Sequence, residues 1–241
     1  MHDLGQFRKD LQQFDIQLTQ QQENQFIRYF ELLTEWNEVM NLTAITDFDD
    51  VLKKHFVDSL SLVRAWPQIR ERSAAVIDIG TGAGFPGVPL KIAFPQIRLT
   101  LLDSLQKRIR FLNELSTELR LQDVELIHGR AEDYAAPSKK REQYDLCVSR
   151  AVANLSTLSE LCLPYVKEGG YFISYKSEKI AEEAKAAEHA ISLLGGKIEG
   201  QKEFILPDSD IYRNLFMIQK VRSTPKRFPR KAGAPAKDPL K

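Results

Sequence analysis

Residues 76–90 combine an acid with three alternating glycines, a pattern that suits the binding of a nucleotide cofactor. In this stretch, VIDIGTGAGFPGVPL, a hydrophobic strand carries Asp78 and leads into Gly80, Gly82 and Gly84. Glycine lets the chain turn sharply at the end of a strand and brings the backbone against a ligand, where a Cβ would clash. The spacing therefore predicts a loop that cradles a ligand, with the Asp78 carboxylate pointing toward that loop.

The residues that follow predict a helix that starts beside the same ligand. Pro86 and Pro89 fit a first helical turn, because the initial N–H groups of a helix have no intrahelical partner. We therefore expect the N-terminus of this helix to face the ligand. The glycine spacing leaves the ligand open, since Gly82, Gly84 and Gly87 also match the dinucleotide pattern G-x-G-x-x-G. A nicotinamide-dependent oxidoreductase is accordingly one alternative.

Acidic residues also follow the second and third predicted strands. Asp103 ends the second strand, where a carboxylate can accept hydrogen bonds from both hydroxyls of a ribose. The third strand ends near Ala131 and Glu132. Because the carboxyl ends of parallel strands meet at one sheet edge, these residues are expected to frame an adenosine.

Two cations follow the fourth and fifth predicted strands, at that same edge. Arg150 can contact the cofactor or a phosphate, with a surface salt bridge as the structural alternative. Lys176 has the same placement and can reach the substrate. Cys147 lies within the fourth strand rather than after it, so we expect no cysteine nucleophile.

The order of elements along the chain predicts an α/β fold. Thr19 and Gln22 form a capping box at the start of a helix, and apolar residues recur after it at helical spacing. From residue 73, strands and helices alternate, which indicates a parallel, doubly wound sheet. The last two strands have no helix between them and are expected to pair antiparallel. The predicted strands are residues 75–79, 97–102, 124–128, 144–149, 171–175, 197–205 and 214–221, with a helix at 155–166 before the fifth.

These features together predict a Rossmann-like, doubly wound, seven-stranded mixed sheet, mainly parallel with one antiparallel strand. We assign an N-terminal helical extension to residues 1–72, the cofactor-binding domain to 73–222 and a tail to 223–241.

The tail concentrates positive charge, although the whole chain has a net charge of only +1. It contains four prolines and is expected to be extended. Such a strip can track a phosphate backbone and stack Phe228 on a base, while a disordered solubilising tail is the alternative. Its cations are Lys226, Arg227, Arg230, Lys231, Lys237 and Lys241.

Other classes of site are disfavoured by what the chain lacks. No stretch approaches the roughly 20 apolar residues of a membrane span, and the N-terminus has no apolar signal-peptide core. The two cysteines form no CxxC pair, and the four histidines have no metal-ligand spacing. We therefore expect a cytoplasmic protein that uses neither a membrane nor a metal.

Several separated motifs of the chain are similar to those of one known family. They are WNEVMNLTAIT, HFVDSL, DIGTGAGFPGVPL, DSLQKRIRFL, SRAVANL, LPYVKEGG and TPKRFPRKAGAPAKDPL. The chain resembles the small-subunit ribosomal RNA methyltransferase G family, also called glucose-inhibited division protein B. The resemblance implies a class I methyltransferase that uses S-adenosylmethionine to methylate N7 of one guanine in the decoding region of 16S ribosomal RNA. Free RNA, the small subunit or an assembly intermediate would be its partner.

The resemblance also implies roles for particular residues. Asn41 and His55 would help to close the site, whereas His55 without the resemblance is better interpreted as a hydrogen-bonded structural histidine. Where the family often has glycine after the lysine of the fifth strand, Ser177 follows Lys176 here. The implied cofactor contacts are Gly80, Phe85, Ala131, Glu132 and Arg150, with Asp103 at the ribose position. The RNA-binding candidates are Asn41, His55, Lys176, Lys226, Arg227, Arg230 and Lys231.

Methylation of guanine N7 would need positioning rather than acid–base catalysis. N7 carries an in-plane lone pair and no proton, so we expect no general base and assign positioning roles to Arg150 and Lys176. The sequence SRAV after the fourth strand also lacks the Asn/Asp-Pro-Pro-aromatic turn common in amino methyltransferases. The remaining alternatives are a non-catalytic RNA-binding assembly factor and a small-molecule methyltransferase, and the basic tail disfavours the second.

Overall fold

The computed structural model describes residues 2–150, 153–178 and 180–240, and a seven-stranded sheet forms its centre. The strands are β1 (Ala75–Ile79), β2 (Arg98–Asp103), β3 (Val124–His128), β4 (Tyr144–Ser149), β5 (Val166–Lys176), β6 (Gly196–Ile205) and β7 (Tyr212–Lys220). Their order across the sheet is β3-β2-β1-β4-β5-β7-β6. Only β7 runs against its neighbours, which confirms the predicted fold class.

In the part of the chain that the structure describes, four α-helices precede the first strand, and the others lie between the strands or after them. The helices are α1 (Gly5–Gln12), α2 (Gln20–Met40), α3 (Phe48–Val51), α4 (Asp58–Leu60), α5 (Gly87–Ala93), α6 (Gln106–Glu118), α7 (Ala131–Tyr134), α8 (Leu155–Cys162), α9 (Ala181–Leu193) and α10 (Ala234–Lys237). A π-helical segment, Leu52–Val57, joins α3 to α4. None of the helices within the described residues is long and apolar enough to cross a membrane.

Both faces of the central strands are buried, and most of the residues in these strands are apolar. Along β1, Val76 packs into a core shared with the N-terminal helices, α5 and α6, while Ile77 packs into a second core with α8 and α9. In β2, Leu101 packs into the first core and Leu102 into the second. Parallel strands that are covered on both faces are typically rich in apolar residues for this reason.

The N-terminal helices share the first core with the sheet. The predicted capping box at Thr19 is present at the start of α2. Tyr29 of α2 is fully buried, and its hydroxyl donates to the carbonyl oxygen of Ala83 in the glycine loop at 2.6 Å. The helical extension therefore contacts the predicted ligand loop directly.

Two predicted boundaries around the fifth strand are wrong. The helix predicted at residues 155–166 ends at Cys162, where a 3₁₀ turn containing Pro164 follows. Strand β5 begins at Val166 rather than at residue 171. Gly169 and Gly170, which lie between the predicted helix and the predicted strand, belong to β5; Gly169 has φ +82°, and the pairing of β5 with β4 shifts register.

The predicted extended tail is also wrong, because residues 224–240 fold back onto the domain. Phe228 is 6% exposed and packs into the second core, so it has no free face for stacking on a base. Arg141 donates to the carbonyl oxygens of Thr224, Pro225 and Phe228. Pro235 lies in the first turn of α10, where a proline loses no helical hydrogen bond.

Candidate cofactor and nucleic-acid site

The loop after β1 needs glycine for two different reasons. Gly80, Gly82 and Gly84 have φ values of +71°, +61° and +100°, in the left-handed region that L-residues avoid. An added Cβ at Gly84 would also lie 2.7 Å from the Tyr29 hydroxyl oxygen. At Gly82 it would meet no described atom within 4 Å, so the backbone conformation alone selects glycine there.

Asp78 organises this loop from beneath. Its side chain is fully buried, and Oδ2 accepts hydrogen bonds from Thr81 Oγ1 at 2.8 Å and from the Gly87 amide at 2.9 Å. Burial raises the pKa of Asp78 to about 7, against the lowering effect of these two bonds. Oδ1 has no hydrogen-bond partner among residues 2–150, 153–178 and 180–240. The predicted orientation of the Asp78 carboxylate toward the loop is confirmed.

The start of α5 does not present the donors that the sequence predicted. The Gly87 amide is taken by Asp78, and the Val88 amide donates to the Gly84 carbonyl oxygen at 2.8 Å. Pro89 has no N–H, and Leu90 donates to the Pro86 carbonyl oxygen. The first turn therefore offers no free N–H group to a ligand. The prediction that the N-terminus of this helix faces the ligand is wrong in this respect.

Asp103 connects the end of β2 to the same loop. Its Oδ2 accepts from the Gly82 amide at 3.0 Å and from Arg108 Nη1 at 3.1 Å. Its Oδ1 accepts from the Leu105 amide at 2.9 Å. The predicted ribose acid thus lies directly beside the glycine loop, at the carboxyl edge of the sheet.

Ala131 and Glu132 begin α7, directly after β3 at the same edge. Ala131 is buried, and its carbonyl oxygen accepts from the Tyr165 hydroxyl at 2.5 Å. Glu132 Oε1 accepts from the Gly233 amide at 2.7 Å. The carboxylate of Glu132 is therefore engaged by the tail, which the sequence did not predict.

Phe85 joins the glycine loop to a group of polar side chains. Its ring stacks against His55, with ring centroids 4.5 Å apart, and Arg150 Cζ lies 4.9 Å from its centroid. Arg150 Nη1 donates to Asp58 Oδ2 at 2.9 Å, and Arg213 Nε donates to Asp58 Oδ1 at 2.8 Å. One buried carboxylate therefore holds two guanidinium groups.

His55 is held in its neutral form. Burial, followed by the nearby charge of Arg150, lowers the pKa of His55 to about 3. Arg150 Nη2 lies 3.2 Å from Nδ1, and Thr43 Oγ1 lies 2.9 Å from Nε2. Because a guanidinium can only donate, Nδ1 is the acceptor and Nε2 carries the proton. His55 is thus a hydrogen-bonded structural residue that also faces the site.

These side chains form the wall of a pocket of 310 Å³, which we call the cationic pocket. Lys176 on this wall is only 10% exposed, and its Nζ donates to Glu183 Oε1 at 2.7 Å. Basic residues outnumber the single acid of the lining, so the pocket suits an anionic group. Its lining residues are Ile45, Lys54, His55, Asp58, Arg150, Tyr175, Lys176, Ser177 and Arg213.

The structure brings some predicted residues together and separates others. Arg150, Lys176 and His55 share the cationic pocket, while Asn41 is exposed at the C-terminal end of α2 and does not line it. Sequence reasoning missed Asp58 and Arg213. Asp58 was visible within the motif HFVDSL, but no spacing signal marked the arginine on β7.

The tail cations also divide into two groups. Lys226, Arg227 and Lys231 are exposed. Arg230 is not free, because its backbone N, Nε and Nη2 donate to the carboxylate of Glu160 at 2.7–3.1 Å. Glu160 is fully buried, so the structure turns Arg230 toward the protein rather than toward RNA.

Metal and thiol chemistry find no support in the part of the chain that the structure describes. Within it, no group of three His, Cys, Asp or Glu side chains could hold a metal ion. Cys147 and Cys162 are free and buried, and burial raises the pKa of the Cys147 thiol.

A Rossmann-like sheet with a glycine loop after β1 and an acid ending β2 is a nucleotide-binding fold, and here an antiparallel β7 lies between β5 and β6. The crystal structure of M. jannaschii TYW2 in complex with AdoMet matches 68% of this chain and 77% of that chain. Its TM-score is 0.53 at 13% identity, a similarity of fold alone.

The family model described as rRNA small subunit methyltransferase G matches residues 22–211. A ribosomal RNA small subunit methyltransferase G of Lachnoclostridium phytofermentans is 51% identical over 240 residues, which cover 100% of this chain and 98% of the relative. One from Alkaliphilus metalliredigens is 50% identical and covers 95% of each chain. The chain belongs to the ribosomal RNA small subunit methyltransferase G family. The predicted family and the prediction of an S-adenosylmethionine-dependent methyltransferase are confirmed, and the oxidoreductase alternative is wrong.

Proposed function

We propose that this protein transfers a methyl group from S-adenosylmethionine to N7 of one guanine in the decoding region of 16S ribosomal RNA. The observation that carries the proposal is the position of Phe85. This residue belongs to the glycine loop, and it contacts His55 and Arg150, which both line the cationic pocket. A donor on the loop and a nucleotide in the pocket would therefore share one wall.

The donor would lie along the carboxyl edge of β1, β2 and β3. Gly80 and Gly82 would let the backbone approach the methionine portion, and Asp103, which already accepts three hydrogen bonds from the protein, would also accept from the ribose hydroxyls. Ala131 and Glu132 would frame the adenine through their backbone, because the Glu132 carboxylate is already engaged. Asp78 acts on the donor through the loop that it holds.

The target nucleotide would leave its stacked position in the RNA and enter the cationic pocket. Extruding a base costs a few kcal/mol and is easiest in a loop or in an incompletely assembled particle. Arg150, Arg213 and Lys176 would hold its phosphate and ribose. The exposed tail cations Lys226 and Arg227 would add contacts to the RNA backbone, whose strength falls as salt rises.

The chemical step needs collinear sulfur, methyl carbon and N7 atoms. Holding two reactants in such a line can supply roughly 7–11 kcal/mol of the barrier. N7 has no proton to lose, and His55, with a pKa of about 3, has a low tendency to take one. The side chains of the pocket therefore position the base rather than move protons. We infer a cytoplasmic protein from a substrate of this kind.

Methyl transfer from labelled donor to ribosomal RNA tests the proposal. The RNA, free and within small subunits, would come from cells that lack this protein, and the labelled nucleotide would be mapped. We expect one N7-methylguanine in the decoding region. Label at another base, or binding of RNA without transfer to any of these substrates, would contradict the proposal.

A further inference from the structure

Residues 224–240, which we call the C-terminal strap, cross two helices at the carboxyl edge of the sheet. The Gly233 amide donates to Glu132 Oε1 of α7 at 2.7 Å. Thr157 Oγ1 of α8 donates to the Pro235 carbonyl oxygen at 3.0 Å. Helix α7 follows β3 and α8 follows β4, and β2 and β1 lie between these two strands, so the strap connects segments that follow separate positions of the sheet edge.

The strap is built into the domain by a buried ion pair. Glu160 of α8 is fully buried, and Arg230 donates to it from the backbone N at 2.8 Å, from Nε at 3.0 Å and from Nη2 at 2.7 Å. A buried carboxylate left without its partner is strongly unfavourable. Phe228 in the second core and Arg141 on three strap carbonyls hold the segment further.

The contact with Glu132 places the strap beside the cofactor site. Ala131 and Glu132 form the first turn of α7, a helix of only four residues that depends on its surroundings for its position. The Gly233 amide holds Oε1 of Glu132 and so fixes the side chain of this turn against the strap. Loosening the strap would therefore free the side chain of Glu132 and remove one of the contacts that position α7.

We propose that the strap positions the adenosine end of the methyl donor, with Arg230 and Gly233 as positioning residues. The inference rests on the proposed function, which seats the adenine beside Ala131 and Glu132. Neither Arg230 nor Gly233 needs to touch the donor. The strap acts through α7 and α8, separately from the RNA contacts proposed for Lys226 and Arg227.

Two substitutions and a matched control test this role. Arg230→Ala removes the ion pair, while Gly233→Ala strains a residue with φ +83°, where an added Cβ meets no described atom within 4 Å. Lys237→Ala removes one exposed charge from the same strap. Calorimetry would measure the affinity for S-adenosylhomocysteine, and steady-state kinetics would separate KM for the donor from kcat. Circular dichroism at the assay temperature would report folding.

Arg230→Ala and Gly233→Ala, the two strap variants, are each expected to bind S-adenosylhomocysteine about fivefold more weakly, a change of roughly 1 kcal/mol. KM for S-adenosylmethionine should rise by a similar factor with kcat at saturating donor retained. Arg230→Lys should recover part of the affinity, and Lys237→Ala should match the unaltered protein in its affinity for S-adenosylhomocysteine.

Three outcomes would overturn the inference. Affinity equal to that of Lys237→Ala in both strap variants would show that the strap only stabilises the fold. A fall in kcat with KM unchanged would also contradict a role in donor positioning. If Arg230→Ala does not fold, Gly233→Ala decides on the same readouts. Absence of binding by the unaltered protein would overturn the proposed function as well, which distinguishes the two failures.

Discussion

The carboxylate of Asp58 and the guanidinium of Arg150 meet at 2.9 Å on the wall of the cationic pocket. Asp58 is 2% exposed, and the same carboxylate holds Arg213 at 2.8 Å. Arg150 in turn contacts Phe85 of the glycine loop. One buried acid thus fixes the cations of the pocket and, through Arg150, their relation to the donor loop.

Asp58→Asn should lower the free energy of unfolding by about 2–4 kcal/mol, because two guanidinium groups lose the charge that compensates them. Both arginine side chains are less than a fifth exposed, at 18% and 17%, so solvent screens them weakly. Urea unfolding measures the change. Asp50→Asn is the control, since the ion pair of Asp50 with Lys54 is exposed and should contribute under about 1 kcal/mol. Equal losses in the two variants would refute the role of Asp58.

Arg150→Lys should reduce kcat/KM for methyl transfer by about tenfold or more, because a lysine cannot reach Asp58, His55 and the face of Phe85 in one geometry. Arg72→Lys provides the control. Arg72 also pairs with a buried carboxylate, that of Asp145, but near the opposite end of β4. Transfer that is equally fast in both variants would remove Arg150 from the site.

Gly84→Ala should be more damaging than Gly82→Ala, although both residues have positive φ. At Gly82 only the backbone strain applies, about 1–2 kcal/mol. At Gly84 the new Cβ would also press against the hydroxyl of buried Tyr29, which raises the expected loss to about 2–4 kcal/mol. Thermal or urea unfolding ranks the two variants. The reverse order would show that the loop is packed differently.

Titration of Asp78 should make stability fall as the pH rises from about 4 to 7. Burial raises its pKa to about 7 from a value of 3.8, so the folded protein keeps a proton that the unfolded chain releases in this window. The contribution is fully present below about pH 4 and is lost as the pH passes about 7.

Asp78→Asn should remove this pH dependence, since an amide stays neutral and its oxygen can still accept from Thr81 and Gly87. The free energy of unfolding would be measured for both proteins between about pH 5 and 8. As the pH rises, the value for the variant should increase relative to that for the unaltered protein. Parallel curves would mean that the buried carboxyl does not titrate in this range.

Local patterns in the sequence were enough to predict much of the fold. The bounds of β1, β3 and β4 match the prediction, because each is a short segment in which apolar residues predominate. The tail could not be predicted in this way. Its prolines and cations indicate an extended strip, whereas its structure depends on Glu160 and Arg141, which are distant in the sequence.

The candidate site was predictable where one motif carries it. The residues of the glycine loop and Asp103 follow from strand ends and spacing. Arg213 could not be found, because it reaches the pocket from β7. No local pattern in the sequence shows that this antiparallel strand lies between β5 and β6. The link between Gly233 and Glu132 likewise joins segments about a hundred residues apart.

Calorimetric titration of the folded protein with S-adenosylmethionine and S-adenosylhomocysteine tests most directly whether the loop after β1 seats a sulfonium donor. We expect both compounds to bind at one site per chain, and Gly82→Ala to weaken both. Heat equal to that of dilution for both compounds, with the protein shown to be folded, would contradict the account.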